Sequence, residues 1–404
     1  MIRVISVSVP KILNSSDFVQ ASRTYRESNI LEIRCKFRRK IISPYLGDIV
    51  VSVNAKTGLC ERAVNQLLMK VLVIRFSSIG DIVLTTPVVR ALKTQIENVE
   101  VHYATKIQFK SIFEENPYID KMHYLHKDLS GFIHELRSEE FDLIVDLHHN
   151  LRTRIIKMAL MTKTVCFDKL NVEKWLMVNF KINKLPNIHI VDRYLKTVEL
   201  LGVKNDALGL DYFIPEKDVV PLDWLPKAHQ SGYIAYAIGA QHATKKLPVE
   251  RMIELCDKIN RPIVLLGGKE DASVGEQIHS FFARSSGAME FEEGLNELNK
   301  KTLIYNGCGM YNLNQSASLV KQAKYVFTHD TGLMHIAAAF KKEIFTIWGN
   351  TIPEFGMYPY RSKFTVLENT KVNCRPCSKI GYDKCPKKHF KCMKEIVFDF
   401  HLPG

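Results

Sequence analysis

Two short stretches bring together residues that can do chemistry. The first, Ser77-Ser78-Ile79-Gly80-Asp81, follows the apolar run Lys70-Val71-Leu72-Val73-Ile74-Arg75-Phe76. A strand, a small-residue turn with one glycine and then a helix place backbone N–H groups at a helix N-terminus, where an anion or a developing negative charge is favoured. Asp81 suits two roles there, a helix N-cap or a carboxylate that takes a proton. The second stretch, His329-Asp330-Thr331-Gly332-Leu333-Met334-His335, lies between the apolar Tyr325–Thr328 and the helical Ile336–Phe340. Asp330 and Thr331 are N-cap types, Gly332 allows close approach to the backbone, and His335 can face the same ligand as Thr331 if the helix starts early. A diphosphate fits this loop; so does a capped helix with a packed histidine. A third loop, Gly239 to Pro248, carries Lys245, either a point charge for a phosphate or a solvated lysine.

The elements that position these loops come from pattern. Val99–Ala104, Leu143–Leu147, Tyr233–Gly239, Pro262–Gly268, Tyr325–Thr328 and Ile344–Gly349 read as buried strands, as does Lys70–Phe76. Helical windows separate them: Thr86–Ile96 with Pro87 in its first turn, Val191–Leu201 ending at Gly202, and Val249–Ile259. Such alternation predicts α/β architecture with parallel sheets covered on both faces. Pro215, Pro221 and Pro226 interrupt the pattern. The expected organisation is an N-terminal extension over 1–68, a first doubly wound domain over 69–215, a linker over 216–230 and a second such domain over 231–404. Tandem domains of this kind hold ligands in the crevice at their strand C-terminal ends. The first 68 residues show no sustained period, and the expectation is a poorly ordered extension or a misassigned start at Met1, with Met69 as the working start.

Composition narrows the function further. Of the formal net charge of +13, residues 1–68 hold +6 (11 Lys+Arg against 5 acids) and residues 371–395 another +6 (8 against 2), leaving +1 for the rest. A nucleic-acid channel needs basic residues spread through the folded body, so no nucleic-acid partner is expected. No run approaches 18 apolar residues and no secretory signal opens the chain, which predicts a cytoplasmic protein. Neither a Gly-x-Gly-x-x-Gly fingerprint nor a P-loop lysine is present.

Taken together these residues resemble the bacterial heptosyltransferases, glycosyltransferase family nine. The resemblance rests on Lys70 to Pro87, on Asp330 to Ala339 followed by Trp348-Gly349-Asn350-Thr351-Ile352-Pro353, on Lys245-Lys246-Leu247-Pro248, and on Asn306-Gly307-Cys308-Gly309 with Leu313-Asn314-Gln315. In the third of these, Lys246 and Leu247 stand where the family has Arg and Trp. It runs from Met69 to about Ile396 and implies a GT-B architecture, two Rossmann-like domains facing across a cleft. It further implies an inverting transfer of heptose, or a related sugar, from a nucleotide-sugar such as ADP-heptose to a lipopolysaccharide core or lipid-linked acceptor. Asp81 would be the catalytic base; Lys245, Asp330, Thr331, Gly332, Leu333 and His335 would hold the donor. Ser78, Gly80, Arg152 and Arg154 would lie on the acceptor side. No cofactor and no metal are expected, since Lys and a helix end can neutralise a diphosphate and no Asp-x-Asp pair stands at an equivalent loop.

An acceptor of this kind implies peripheral contact with the inner face of the inner membrane. Lys174-Trp175-Leu176-Met177-Val178-Asn179-Phe180-Lys181 is a possible interfacial patch, but the expectation is a core-facing helix with lysines at its margins. Cys374, Cys377, Cys385 and Cys392, with His389 nearby, suit tetrahedral zinc in number; the loose second spacing favours a reduced, packed cluster. Two rival functions stand beside the transferase: a nicotinamide-dependent oxidoreductase on tandem Rossmann domains, and a non-catalytic scaffold in envelope assembly.

Overall fold

The computed structural model describes residues 19–24, 32–37, 68–288 and 302–402. Most of the expected N-terminal extension therefore lies outside the described residues. Within it, Val19–Thr24 (β1) and Glu32–Phe37 (β2) pair antiparallel, separate from the two main sheets.

The first buried apolar run forms the centre of a five-stranded parallel sheet. Met69–Ile74 (β3) is flanked by Val99–Lys106 (β4) and Leu143–Asp146 (β6), with Lys121–Leu125 (β5) and Thr164–Cys166 (β7) at the edges, giving the order β5-β4-β3-β6-β7. The last four residues of β3 and all four of β6 are buried, as strands covered on both faces must be. A second parallel sheet has the order β10-β9-β8-β11-β12-β13. Its strands are Ile234–Ala237 (β8), Pro262–Leu266 (β9), Leu303–Asn306 (β10), Tyr325–His329 (β11), Ile344–Trp348 (β12) and Phe364–Glu368 (β13). Both sheets are doubly wound: the chain works outward on one side, then returns to the centre and continues on the other. The reversal falls between β3 and β6 in the first lobe and between β8 and β11 in the second. Crevices at such reversals are where these sheets bind ligands.

The helices follow their sequence signals. Thr86–Gln95 carries proline in its first turn, Val249–Ile259 has the expected bounds, and the segment after Ile190–Lys196 turns out at Gly202 with φ +80°. Residues 216–230 contain short turns and the four-residue helix Lys227–Gln230. They dock on the second lobe through Asp218, which accepts from the side-chain amides of Asn312 (2.8 Å) and Asn314 (3.1 Å). Asn314 also donates to the Ser111 carbonyl of the first lobe, at 3.3 Å. One buried apolar cluster runs through both lobes, from Val71, Leu84 and Val101 to Val264, Ala317 and Ile336.

Candidate active site

Each reversal presents a loop, and the two meet. Helix Ile79–Val83 follows β3 and helix Gly332–Ala339 follows β11, each leaving a strand that borders the reversal. Their first turns touch at two glycines. A Cβ on Gly80 would stand 2.6 Å from Cδ2 of His335 and 3.5 Å from the Gly332 Cα; one on Gly332 would stand 2.7 Å from Cγ2 of Ile79. Both distances under 3 Å are overlaps, so only glycine permits this approach. Two helix N-termini, each with its positive dipole end, thus converge on one place between the lobes.

Asp81 sits in the third position of its helix, its side chain 20% exposed. Ser78 caps the helix and also holds Asp81: its backbone N–H and its hydroxyl donate to Oδ2 at 3.1 and 2.8 Å. Oδ1 faces Nη2 of Arg75 at 2.6 Å. Burial pushes the carboxyl up, but Arg75, the Ser78 hydrogen bonds and the nearby His335 outweigh it and hold the carboxyl below its usual range. Asp81 is therefore ionised at neutral pH. Arg75 is itself fixed from three other sides, donating to the carbonyls of Ser77 (2.8 Å) and Leu147 (2.5 Å) and to the Tyr194 hydroxyl (3.0 Å).

In the second lobe, Thr331 is the N-cap residue of helix Gly332–Ala339, with no hydrogen bond from its side chain to the helix's first amides. Its hydroxyl lies 3.3 Å from that of Thr328. Asp330 turns aside: Lys245 Nζ contacts its Oδ2 at 2.6 Å, and the Thr351 hydroxyl donates to the same oxygen at 3.0 Å. Lys245 is thus brought to the helix start by a carboxylate partner. Leu333 packs on the apolar cluster. His335 is 2% exposed, and burial lowers its imidazole to about 4, so it is neutral at physiological pH and brings no charge to a phosphate. It lies under Gly80, between the Asp81 loop and the Asp330–Lys245 pair.

In the first lobe the loop after β6 and the segment after β7 form a cavity of about 390 Å³ lined by His149, Asn150, Leu151, Arg154, Lys169 and Asn171. Arg154 is in this lining; Arg152, two positions earlier and exposed in the first turn of helix Leu151–Leu160, is not. Ser78 is exposed and engaged with Asp81, whereas Gly80 is buried at the lobe contact. Sequence reasoning gave no role to Lys169, whose ammonium is lowered by burial and by Arg75, or to His148, lowered to about 4 by burial and by Arg75. Lys174 falls to about 8 through burial and then Arg193, and it feels Asp81. Lysines about ninety residues from Asp81 carry no motif with it; only the fold brings Lys169 and Lys174 near that carboxylate.

Helix Asn171–Phe180 differs from expectation. It has no buried residue, and Val172, Trp175 and Phe180 are exposed, because it lies at the sheet edge beyond the short β7 rather than over the sheet. Its two ends meet the cysteine segment: Lys379 donates to the Asn171 carbonyl at 3.2 Å and Lys181 to the Pro376 carbonyl at 2.7 Å. Arg375 anchors that segment to the second lobe through the Thr351 carbonyl (3.0 Å) and Glu368 (2.7 Å). The thiols of Cys374, Cys377, Cys385 and Cys392 are free, and burial raises Cys377 to about 11 and Cys392 to about 12. Cys374 Sγ lies 3.8 Å from Nε2 of His389.

A family model described as glycosyltransferase family 9 (heptosyltransferase) matches residues 130–388, well over half of the chain. The chain belongs to glycosyltransferase family 9. The matched span takes in the Lys245 and Asp330 loops and begins after the Asp81 loop. This family 9 chain is 21% identical over 305 residues to lipopolysaccharide heptosyltransferase 1 of Campylobacter coli, covering 70% of this chain and 84% of that one. Among solved structures it resembles a family 9 glycosyltransferase from Veillonella parvula, with a TM-score of 0.58, 22% identity, and coverage of 75% and 86%. It also resembles the ADP-heptose lipopolysaccharide heptosyltransferase II of E. coli, with a TM-score of 0.56, 18% identity, and coverage of 81% and 98%. The two facing sheets are therefore the GT-B arrangement, and the protein is a glycosyltransferase. Neither the oxidoreductase nor the scaffold reading draws support from these relatives.

Proposed function

We propose that this glycosyltransferase moves heptose from ADP-heptose to a lipopolysaccharide core acceptor, with inversion at the anomeric carbon. The observation that carries the reading is the meeting of an ionised Asp81 with the Thr331–Gly332 helix start across a contact of two glycines. The acceptor hydroxyl enters from the Arg154–Lys169 side and gives its proton to Asp81 as its oxygen bonds to the anomeric carbon. The bond from that carbon to the diphosphate oxygen breaks, and ADP leaves. Lys245 and the amides of residues 332–334 take up the charge that grows on the departing diphosphate. To do so, Lys245 exchanges the Asp330 carboxylate for phosphate oxygens. Arg75 keeps Asp81 ionised and oriented, which makes it a weak base in water; exclusion of solvent by the bound substrates strengthens it.

The name of the Campylobacter coli relative supports the acceptor class and that of the E. coli protein supports the donor. Among the described residues no helix is long and apolar enough to cross a membrane. We place the protein in the cytoplasm, docked peripherally on the inner face of the inner membrane. Leu151, Met158, Val172, Trp175 and Phe180 are exposed on the two helices that follow β6 and β7, as are Arg152 and Arg154, and apolar and basic side chains together suit anionic lipid. The test is ADP release from ADP-heptose with a heptose-deficient lipopolysaccharide acceptor. Donor-dependent transfer that disappears in Asp81→Asn supports the reading; full turnover in that variant overturns the assigned base. Failure to float with anionic vesicles overturns the membrane placement.

A further inference from the structure

Far from the cleft, the first lobe carries a buried pair of histidines that the transfer reaction does not use. His102 on β4 and His123 on β5 are both 0% exposed, and Nδ1 of His102 lies 2.9 Å from Nε2 of His123. The other nitrogen of each ring meets a carboxylate: His102 Nε2 lies 2.8 Å from Glu100 Oε1, and His123 Nδ1 lies 2.6 Å from Glu135 Oε1. Phe141 packs against both imidazoles with its ring nearly perpendicular to theirs.

Proton counting shows what this row lacks. Glu100, His102, His123 and Glu135 make three contacts in line, and each needs a proton, but two neutral imidazoles bring only two. If each ring donates to its own carboxylate, the two remaining lone pairs face each other at 2.9 Å. A further proton, or a metal cation, between them would relieve that contact. A shared proton engages those two nitrogens alone, whereas a metal ion also uses a third donor, and one is in place. Glu139 Oε2 is 4.0 Å from His102 Nδ1, and the ligand atoms of His102, His123 and Glu139 all lie within 4.8 Å of one another. Oε1 of the same carboxylate is held by Lys121 at 2.5 Å, and Lys70 lies 3.7 Å from Oε2.

We infer that His102, His123 and Glu139 form a binding site for a divalent cation of the zinc type. Two imidazoles and one carboxylate are a ligand set for that ion, and two nitrogens on a tetrahedral metal stand about 3.3 Å apart, close to the present spacing. Glu100 and Glu135 complete the pattern in which a metal-bound imidazole donates its far N–H to a carboxylate, fixing the tautomer and the ring. The site takes no part in the transfer: Lys70, beside Glu139, is the second residue of β3 and Glu139 precedes β6, whereas Asp81 follows the C-terminal end of β3. A cation there pins the C-terminal turn of helix Leu129–Arg137 onto β4 and β5.

The experiment is zinc titration of the full chain, stripped with chelator, by calorimetry and thermal unfolding, with X-ray absorption of the loaded protein. The expected result is one zinc with imidazole nitrogens in its shell and a raised Tm, both lost in the His102→Gln/His123→Gln double variant. Glu100→Gln and Glu135→Gln, which leave the ligands in place, should weaken zinc roughly 10- to 100-fold. If the double variant does not fold, Glu139→Gln and the wild-type absorption spectrum decide: weaker uptake and an imidazole shell support the site. A sulfur-only shell means that zinc sits on the cysteine segment, and no uptake means that the histidines share a proton; either overturns the inference.

Discussion

The loops after β3 and β11 use the same grammar, an aspartate at the start of a helix that follows a buried strand, and put it to different ends. Asp81 is locked to Arg75, which is itself held by two carbonyls and a tyrosine hydroxyl. Asp330 pairs instead with Lys245, whose ammonium, among the described residues, has beside that carboxylate a 3.4 Å contact to the Asp330 carbonyl. A guanidinium fixed on several sides stays where it is, so its carboxylate keeps both charge and direction. An ammonium on a flexible stem can change partners. The difference separates a carboxylate that is set once from a cation that is released to a ligand.

The comparison can be broken in four ways. Asp81→Asn keeps the shape and removes the proton acceptor; turnover should fall roughly 100- to 10,000-fold while ADP affinity stays within about twofold, measured by transfer assay and calorimetry. Lys245→Ala should weaken donor binding about 10- to 100-fold, the worth of a charged hydrogen bond, seen as a raised Kd for ADP. Arg75→Gln tests the permanence of the first pair. Arg75 holds the Asp81 carboxyl down, so its removal raises that pKa and moves the acid limb of kcat/KM upward by about one pH unit or more. The sign for stability is the same. A carboxyl lowered on folding contributes stability above its unfolded value, about 3.9, and loses it as pH falls through the folded value, so Arg75→Gln should flatten that acid dependence. The smallest effect is expected for Gly332→Ala, where the overlap with Ile79 costs about 1–3 kcal/mol and lowers Tm by a few degrees.

The strands were legible because buried parallel strands are written as unbroken apolar runs; each expected strand is present, with ends shifted by one or two residues. Asp81 and the Asp330 loop were legible because small residues and helix-cap types cluster there. His335 was only half legible: spacing put it on the face of Thr331, but which lobe it would meet depends on how the sheets sit together. Helix Asn171–Phe180 misled because an apolar stripe with marginal lysines looks alike over a core and at an open edge. Lys169 and the His102–His123 pair left no signal, since what matters in each is proximity between residues about twenty or more positions apart; Arg75 lay within the recognised Lys70–Pro87 stretch, but its pairing with Asp81 was not legible.

The apolar cluster that threads both lobes has a consequence for how the molecule comes apart. Ordinary domain pairs meet through modest polar surfaces and can melt one after the other. Here Val71 and Ile336 share a single oily interior, so severing the chain near Pro221 would leave two halves, each with a raw hydrophobic wound. Heating the intact chain should show a single calorimetric peak.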